Sequence, residues 1–345
     1  MLVLSESNYG EWLRSALTLH GRLAPVAESL LENVLRERGV DHLSVTSRTK
    51  DFSSALEKIV RKRYSDPQTQ MTDLTGIRII VFFDAQVKQS IDIIRSILTV
   101  DEANSLDQSQ RLGSDRIGYR STHFVCSLGA ERAHLVEYGS IADLKFEIQV
   151  RTVLQHAWAE LAHDRSYKFG PGLPHDIQRE LNLYSGLLEI ADRAFDKIAS
   201  GIEDYQNELR SKTSDQINQL PVNALSLKQY IDRAANQYKL KLTDDKEITE
   251  RVLSELEEFG ITNVGQVDQM LTEEFCTAYR KAKLRDNYGG LLRSMMMYNN
   301  LSKYFVHEAS WGNLDKETFA LLSDKYRPEE IRKILNAANM EFTEK

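Results

Sequence analysis

The spacing of apolar and polar residues predicts three β-strands in the first half of the chain. Residues 144–152, LKFEIQVRT, alternate between apolar and polar side chains over most of their length, which is the period of a strand with one buried face. Residues 76–83, GIRIIVFF, and residues 121–128, STHFVCSL, are runs of strand length rich in β-branched and aromatic residues. Between these two strands, VKQSIDIIRSIL has the spacing of an amphipathic helix. We therefore expect helices packed on a sheet.

Helical spacing predominates in the rest of the chain, from the first forty residues to the C-terminal part. The polar segment 213–223 contains a proline and is the best candidate for a linker. The predicted fold class is α+β, a mixed β-sheet flanked by helices and followed by an all-α C-terminal domain. The predicted domains are, in chain order, 1–212 with a core at 43–170 and a long helix at 176–212, the linker 213–223, and a helical regulatory or interaction domain at 224–345.

Composition narrows the class of protein. The 345 residues are 41% apolar and 28% charged, with a net charge of −7, so the chain does not coat nucleic acid through bulk positive charge. The two cysteines, Cys126 and Cys276, give no sign of a disulfide framework or a cysteine zinc site. No run approaches the roughly 20 apolar residues of a membrane helix. We expect a cytoplasmic protein that binds neither membrane nor DNA.

Polar residues gather on one face of the predicted sheet. The strand at 144–152 carries a polar row, Lys145, Glu147, Gln149 and Arg151. On the preceding strand, period-two spacing aligns Tyr119, Ser121 and His123. Asp73 stands just before the first strand and Arg78 lies within it. If the three strands are neighbours, two carboxylates, a histidine, a tyrosine and several cations share one cleft.

A basic segment, RTKDFSSALEKIVRKR, precedes these strands. It contains six cations, namely Arg48, Lys50, Lys58, Arg61, Lys62 and Arg63. A helix would stack Ser54, Lys58 and Lys62 on one side, four residues apart. Taken alone, such a charge run is more often a solvated helix face. Beside two carboxylates it suits phosphoryl or pyrophosphoryl transfer, with side chains gripping the phosphates because no P-loop motif is present.

Four motifs in order, DLTGIR, GYRSTHF, FEIQVRT and HAWAELAHDRSYK, resemble the synthetase domain of the RelA/SpoT family, the (p)ppGpp synthetases. The resemblance covers roughly Leu43 to Lys212. It implies a nucleotidyltransferase-like fold and a Mg²⁺-dependent transfer of pyrophosphate from ATP to the 3′-hydroxyl of GDP or GTP, with release of AMP. The product that the resemblance implies, (p)ppGpp, is the alarmone of the stringent response.

The resemblance also implies roles for individual residues. Asp73 and Glu147 resemble the Mg²⁺ carboxylates, and Glu147 is also the group expected to activate the attacking hydroxyl. The residues expected at ATP are Arg48, Lys50, Ser54, Lys58, Arg61, Lys62 and Arg78, with Arg48 and Arg78 at the adenine. The residues expected at the acceptor are Tyr119, Ser121, His123, Lys145, Gln149, Arg151 and His156, with the base stacked on Tyr119.

Alternatives stay open for the acceptor and for the C-terminal part. Small members of the family commonly have Glu-His where this chain has Ala162-His163, which leaves the acceptor undecided. One alternative is a toxin that pyrophosphorylates the 3′ end of tRNA and carries a fused antitoxin or sensor. Another is a nucleotide-binding regulator without catalysis, although both carboxylates are present. The basic segment YRKAKLRDNYGGLLR, residues 279–293, is either a solvated helix face or an RNA-contacting patch, and the C-terminal domain is expected to regulate or oligomerise the enzyme.

Overall fold

The structure, a computed structural model, divides the chain into two compact units, Met1–Ser200 and Gly201–Lys345. It describes residues 2–107, 122–168, 174–306, 313–338 and 340–342. The first unit contains a sheet with helices and the second is helical, which confirms the predicted fold class. Among the described residues, no helix combines the length and apolar character needed to cross a bilayer.

The sheet of the first unit is mixed. Its strands are β1 His42–Thr49, β2 Thr75–Val81, β3 Thr99–Val100, β4 Leu106–Asp107, β5 Thr122–Ser127 and β6 Phe146–Thr152. Their order is β1-β2-β6-β5-β3, and β4 also pairs with β5. The central pair, β2 and β6, is parallel, whereas the other pairs are antiparallel. The three strands predicted from the sequence are thus β2, β5 and β6, and they are neighbours.

Helices precede, connect and follow these strands. They are α1 Leu2–Glu37, α2 Phe52–Lys62, α3 Pro67–Gln70, α4 Asp84–Ile97, α5 Ala130–Ala133, α6 Val153–Lys168 and α7 His175–Ser211. The first forty residues form the single helix α1, with Pro25 inside it. Its apolar stripe packs with α4 and the inner face of the sheet, where Ile79, Ile148 and Val150 are fully buried. Burial of that continuous apolar layer fixes which strand face points outward.

A buried polar contact joins α1 to the start of β2. The Nδ1 atom of His20 lies 2.9 Å from Oγ1 of Thr75, and the Thr75 hydroxyl donates to the His20 carbonyl at 3.2 Å. Burial lowers the pKa of His20 to about 4, so the imidazole is neutral near pH 7. Thr75 is fully buried and lies two residues after Asp73. Its contacts with His20 therefore hold the backbone next to Asp73 in place.

The second unit consists of short helices around its own core. They are α8 Ser214–Asn218, α9 Ala224–Tyr238, α10 Glu250–Glu258, α11 Val264–Met270, α12 Glu273–Ala282, α13 Tyr288–Asn299, α14 Leu301–Tyr304, α15 Lys316–Leu322 and α16 Pro328–Ala337. A two-residue parallel pair, β7 Asn313–Leu314 and β8 Glu341–Phe342, accompanies them. Both cysteines are free thiols, Cys126 buried in the first unit and Cys276 in the second.

The segment 213–223 contains α8 and does not run as an extended connection. Thr213 caps α8, and Ile217 is buried in the core of the second unit with Leu220 and Val222 packed against that core. The contacts therefore join this segment to the second unit, and the division between the units falls within α7 at Ser200. The domain limits 1–212 and 224–345 stay predictions.

The same valine-to-alanine change at a buried and at an exposed position tests the inner layer. Val150 is fully buried in β6, whereas the side chain of Val136 is 98% exposed. We expect Val150→Ala to lower the free energy of unfolding of the first unit by about 2–3 kcal/mol, through lost burial and the cavity left behind. Val136→Ala should change it by less than about 0.5 kcal/mol. Equal losses in denaturant titrations would contradict this packing.

Candidate active site

The outer face of β6 carries the polar row predicted from the sequence. Phe146, Ile148 and Val150 are fully buried, and Glu147, Gln149 and Arg151 alternate with them at partly exposed positions. Lys145 precedes the strand, which begins at Phe146. Its ammonium lies 2.5 Å from Oδ2 of Asp101. The structure thus places three of the four polar residues on the strand and pairs the fourth with a carboxylate that the sequence analysis did not single out.

Strand register aligns the polar residues in two rows. In one row, Arg48 of β1 pairs with Gly76 of β2, and Gly76 pairs with Glu147 of β6. A Cβ atom built on Gly76 would meet no atom within 4 Å, so the space beside Glu147 is open. In the other row the paired residues are Thr46, Arg78, Gln149 and His123.

Asp73 lies at the mouth of β2 between two lysines. Its Oδ2 accepts from Lys58 of α2 at 2.5 Å and from Lys50 at 2.9 Å. A backbone hydrogen bond from Lys50 to the Leu74 carbonyl holds that lysine in place. Burial raises the pKa of Asp73, but the hydrogen bonds and charges of Lys58 and Lys50 outweigh it and bring the pKa below its ordinary value. The carboxylate is therefore ionised at neutral pH.

Glu147 is held by its neighbours on β5 and β6. Its Oε1 lies 2.8 Å from Nδ1 of His123 and accepts from Nε2 of Gln149 at 2.7 Å. Burial raises the pKa of Glu147, whereas the contacts with His123 and Gln149 bring it below its ordinary value. The charge of Asp73 opposes that lowering. The two carboxylates thus influence one another across a shared space.

A cavity of about 420 Å³ opens on this face of the sheet. Both carboxylates line it, Asp73 from the start of β2 and Glu147 from β6. The predicted site residues that share its wall are Arg48, Lys50, Ser54, Asp73, Arg78, Glu147 and Gln149. Its volume is within the range of small-molecule sites. One wall residue missing from the predicted set is Glu160, which the sequence could have indicated because it lies four residues after His156 on α6.

Arg78, Glu160 and His156 form a charged group at one side of the cavity. The Arg78 guanidinium lies 3.1 Å from Oε1 of Glu160, and Nδ1 of His156 lies 3.7 Å from the same oxygen. Burial and the nearby Arg78 charge lower the pKa of His156 and that of Arg151. The Nε atom of Arg151 is buried without a hydrogen-bond partner within the described part of the chain. Neither Arg151 nor His156 is among the described residues that line the cavity, although His156 lies close to the wall residue Glu160.

Ser54 lines the cavity and also supports the start of α2. Its backbone amide and its hydroxyl each donate to the N-cap residue Asp51, at 2.8 Å.

The remaining predicted residues lie elsewhere or outside the described residues. Arg61 and Lys62 are exposed in the last turn of α2, and neither lines the cavity. Tyr119 and Ser121 lie outside the described residues, so their roles stay predictions.

The carboxylates have the donor chemistry of a divalent cation site. Oδ1 of Asp73 is buried and has no hydrogen-bond partner among the described residues, while both lysines bind the other oxygen. Hard cations such as Mg²⁺ prefer one or two carboxylates together with phosphate oxygens. Asp73 and Glu147 therefore fit a divalent cation.

Comparison with known proteins shows similarity to the RelA/SpoT family. Residues 47–171 match a family model described as a region found in RelA / SpoT proteins. The protein is 29% identical over 139 residues to "GTP pyrophosphokinase YwaC" of Bacillus subtilis, a match that covers 39% of this chain and 63% of that protein. It is 28% identical over 171 residues to "GTP pyrophosphokinase YjbM" of the same organism, covering 47% and 74%. The match thus spans less than two thirds of YwaC.

Solved structures of small alarmone synthetases are also similar to part of this chain. Small alarmone synthetase 1 of Bacillus subtilis has 24% sequence identity and a TM-score of 0.46, with 56% of this chain and 98% of that chain covered. The product-bound form of small alarmone synthetase 1 has 25% identity and a TM-score of 0.47, with 56% and 99% covered. The family match defines residues 47–171 as a RelA/SpoT domain.

Removing one lysine tests how Asp73 is kept ionised. An aspartate with a lowered folded-state pKa stabilises the protein above its unfolded pKa of about 3.9, and this contribution is lost as pH falls through the folded pKa. We expect Lys58→Gln to raise the pKa of Asp73, because burial is then less opposed. Carboxyl-carbon NMR titration of the aspartates measures this shift.

Lys62→Gln is the matched control, since it removes the same charge one turn further along α2 without touching Asp73. That variant should leave the Asp73 pKa near the wild-type value. If the two variants gave the same Asp73 titration curve, the Lys58 contact would not be the cause of the lowered pKa.

Proposed function

We propose that this protein transfers the β,γ-pyrophosphate of ATP to the 3′-hydroxyl of GDP or GTP and releases AMP. The observation that supports it best is the single cavity lined by two ionised carboxylates, Asp73 and Glu147, and by cations from β1 and β2. The names of the two relatives, both GTP pyrophosphokinases, agree with this reaction. A transfer between two nucleotides needs a cavity with a cationic side, an acidic centre and an acceptor side.

The cationic side suits ATP. Arg48 and Arg78 line the cavity and can contact the adenine, while Lys50 and Lys58 lie at Asp73, where the triphosphate would pass. Their ammonium groups neutralise negative charge on the phosphates, an effect that is strongest where water is excluded. Ser54 lies on the same wall. Arg61 and Lys62, exposed at the end of α2, would reach only the outer end of the triphosphate.

The acidic centre would hold Mg²⁺ through Asp73 and Glu147. When bound, the cation supplies neutralisation of the charge on the transferred phosphates and orients them. Oδ1 of Asp73 suits this role, since Lys50 and Lys58 contact Oδ2 and no described residue forms a hydrogen bond with Oδ1.

The acceptor side would be formed by His123, Gln149, Arg151 and His156. In the reaction, the acceptor 3′-oxygen bonds to the β-phosphorus and the bond from that phosphorus to the α,β-bridging oxygen breaks. The bonding electron pair leaves with AMP. The 3′-hydroxyl proton passes to Glu147, whose Oε1 is already held by His123 and Gln149. Because its pKa is lowered, Glu147 is ionised at neutral pH and can accept this proton.

An amide in place of the central carboxylate tests this assignment. We expect Glu147→Gln to reduce AMP release by roughly 100-fold or more, the usual contribution of a positioned base, with the melting temperature close to that of the wild type. Glu160→Gln makes the same change on the same cavity wall, at an exposed residue, and should reduce turnover by less than about tenfold. Wild-type turnover in Glu147→Gln would remove the proposed mechanism.

A competition experiment identifies the acceptor. Purified protein is given γ-labelled ATP together with GDP, GTP and bulk tRNA, and the labelled species are separated. We expect label on the guanine nucleotides. Label confined to tRNA would contradict this proposal and favour the toxin alternative. If no species became labelled and no AMP formed, the chain would be a nucleotide-binding regulator without this activity.

A further inference from the structure

A second cavity, in the C-terminal unit, is lined mainly by cations. It has a volume of about 420 Å³ and lies where the segments after α9 and α12 meet. The cations on its wall are Lys239, Lys241, Arg280, Lys283 and Arg285, and its other lining residues are Tyr279 and Leu284. Tyr279 is 1% exposed and Leu284 is 5% exposed, so they form a floor beneath a cationic rim.

The fold assembles this cavity from two distant parts of the sequence. Lys239 and Lys283 are the C-cap residues of α9 and α12, both with left-handed backbone conformations. The Thr243 amide donates to the Asp286 carbonyl at 2.9 Å, and the Asn287 side chain donates to Asp245 at 2.8 Å. These contacts hold the two cation-bearing segments side by side. The rim is therefore built before any ligand arrives.

The rim has more positive charge than the fold itself needs. Arg280 donates to the Tyr238 carbonyl at 2.8 Å and so serves the C-terminus of α9. Two helix C-termini together carry about one negative elementary charge, whereas five cations line the cavity. Among the described residues, none of Lys239, Lys241, Lys283 and Arg285 forms a salt bridge. A solvated helix face accounts for single lysines but not for their convergence on one cavity.

The structure also divides the basic segment 279–293 in a way that disfavours RNA. Lys281 pairs with Asp324 at 3.2 Å, and Arg293 makes two contacts with the buried Glu255, at 2.7 and 3.0 Å. Both tyrosines of the segment, Tyr279 and Tyr288, are at most 2% exposed. Single-stranded RNA needs exposed rings on which bases stack. The cations left over face a cavity of small-molecule size.

We propose that this cavity binds a small molecule with several phosphate groups, such as a nucleoside triphosphate. Three to four phosphate charges match the surplus on the rim, and lysine and arginine are the side chains that bind phosphates most strongly. The site lies within the C-terminal unit and does not depend on the reaction proposed for the first unit. Its ligand would be a signal or effector read by the C-terminal unit.

Calorimetric titration of the full chain with α,β-methylene-ATP, at low salt and with magnesium present, tests this site. The cavity variant is Lys241→Glu/Arg285→Glu, which avoids both C-cap residues and Arg280. Its matched control is Lys316→Glu/Lys333→Glu, the same change of net charge at exposed residues of the same unit. We expect two bound analogues per wild-type chain and per control chain. In the cavity variant one of the two should bind at least about tenfold more weakly.

Further arms of the experiment separate the other outcomes. The neutral variant Lys241→Gln/Arg285→Gln should give an intermediate affinity, and circular dichroism melting verifies that each variant folds. Tripolyphosphate that binds as tightly as the analogue would show that phosphates alone are recognised, which still supports the site. Cavity and control variants that bind alike would overturn the proposal. The proposal would also be overturned if binding of a uridine oligonucleotide depended on these cations while binding of the analogue did not.

The same titration distinguishes failure here from failure of the proposed function. A wild-type chain with one bound analogue, lost in the cavity variant, would support this site and weaken the proposed reaction. One bound analogue that persists in the cavity variant would overturn this site and leave the proposed reaction intact.

Discussion

The parallel pairing of β2 with β6 determines where the charged groups of the cleft lie. Gly76 opposite Glu147 and Arg78 opposite Gln149 put the polar residues of both strands on the outer face, while Ile77, Ile79, Ile148 and Val150 are buried on the inner one. A slip of one residue would turn every polar side chain into the core. The buried layer against α1 therefore specifies the site as well as the fold.

The ionised state of Asp73 and Glu147 depends on the charged and polar groups that this arrangement places beside them. A carboxylate that is partly removed from water favours its neutral form unless cations or hydrogen-bond donors compensate. Asp73 has two ammonium groups, and Glu147 has an imidazole and an amide. Both pKa values consequently stay low although the two negative charges influence one another. The cleft can thus attract phosphates through its lysines and arginines while keeping two anionic groups ready for a cation.

Local patterns in the sequence predicted the strands and the two carboxylates, because a period of two and an acid before a strand are short-range signals. Lys145 obeys the same period, yet it precedes the strand and meets Asp101, a residue 44 positions away. Helical spacing puts Lys62 on the same side of α2 as Lys58. Lys62 nevertheless lies one turn further along the helix, and the lysines that contact Asp73 are Lys50 and Lys58. Contacts of this kind depend on tertiary distances that spacing does not contain. His20 beneath Thr75 belongs to the same group.

The C-terminal unit shows more clearly which features the sequence alone does not predict. Its helices follow from spacing and caps, such as Asn223 at α9 and Thr272 at α12. The segment 213–223 is polar in composition, and the burial of Ile217 in the core was not evident from it. Arg280, Lys283 and Arg285 were visible as a basic run, but Lys239 and Lys241 join them only through the fold.

Binding of Mn²⁺ followed by electron paramagnetic resonance, in the presence of α,β-methylene-ATP, tests most directly whether Asp73 and Glu147 act as one acidic centre. Asp73→Asn and Glu147→Gln should each weaken binding by more than the roughly tenfold that loss of a supporting contact causes. If both variants bound Mn²⁺ as tightly as the wild type, the two carboxylates would not hold a common cation and the proposed chemistry of the cleft would be wrong.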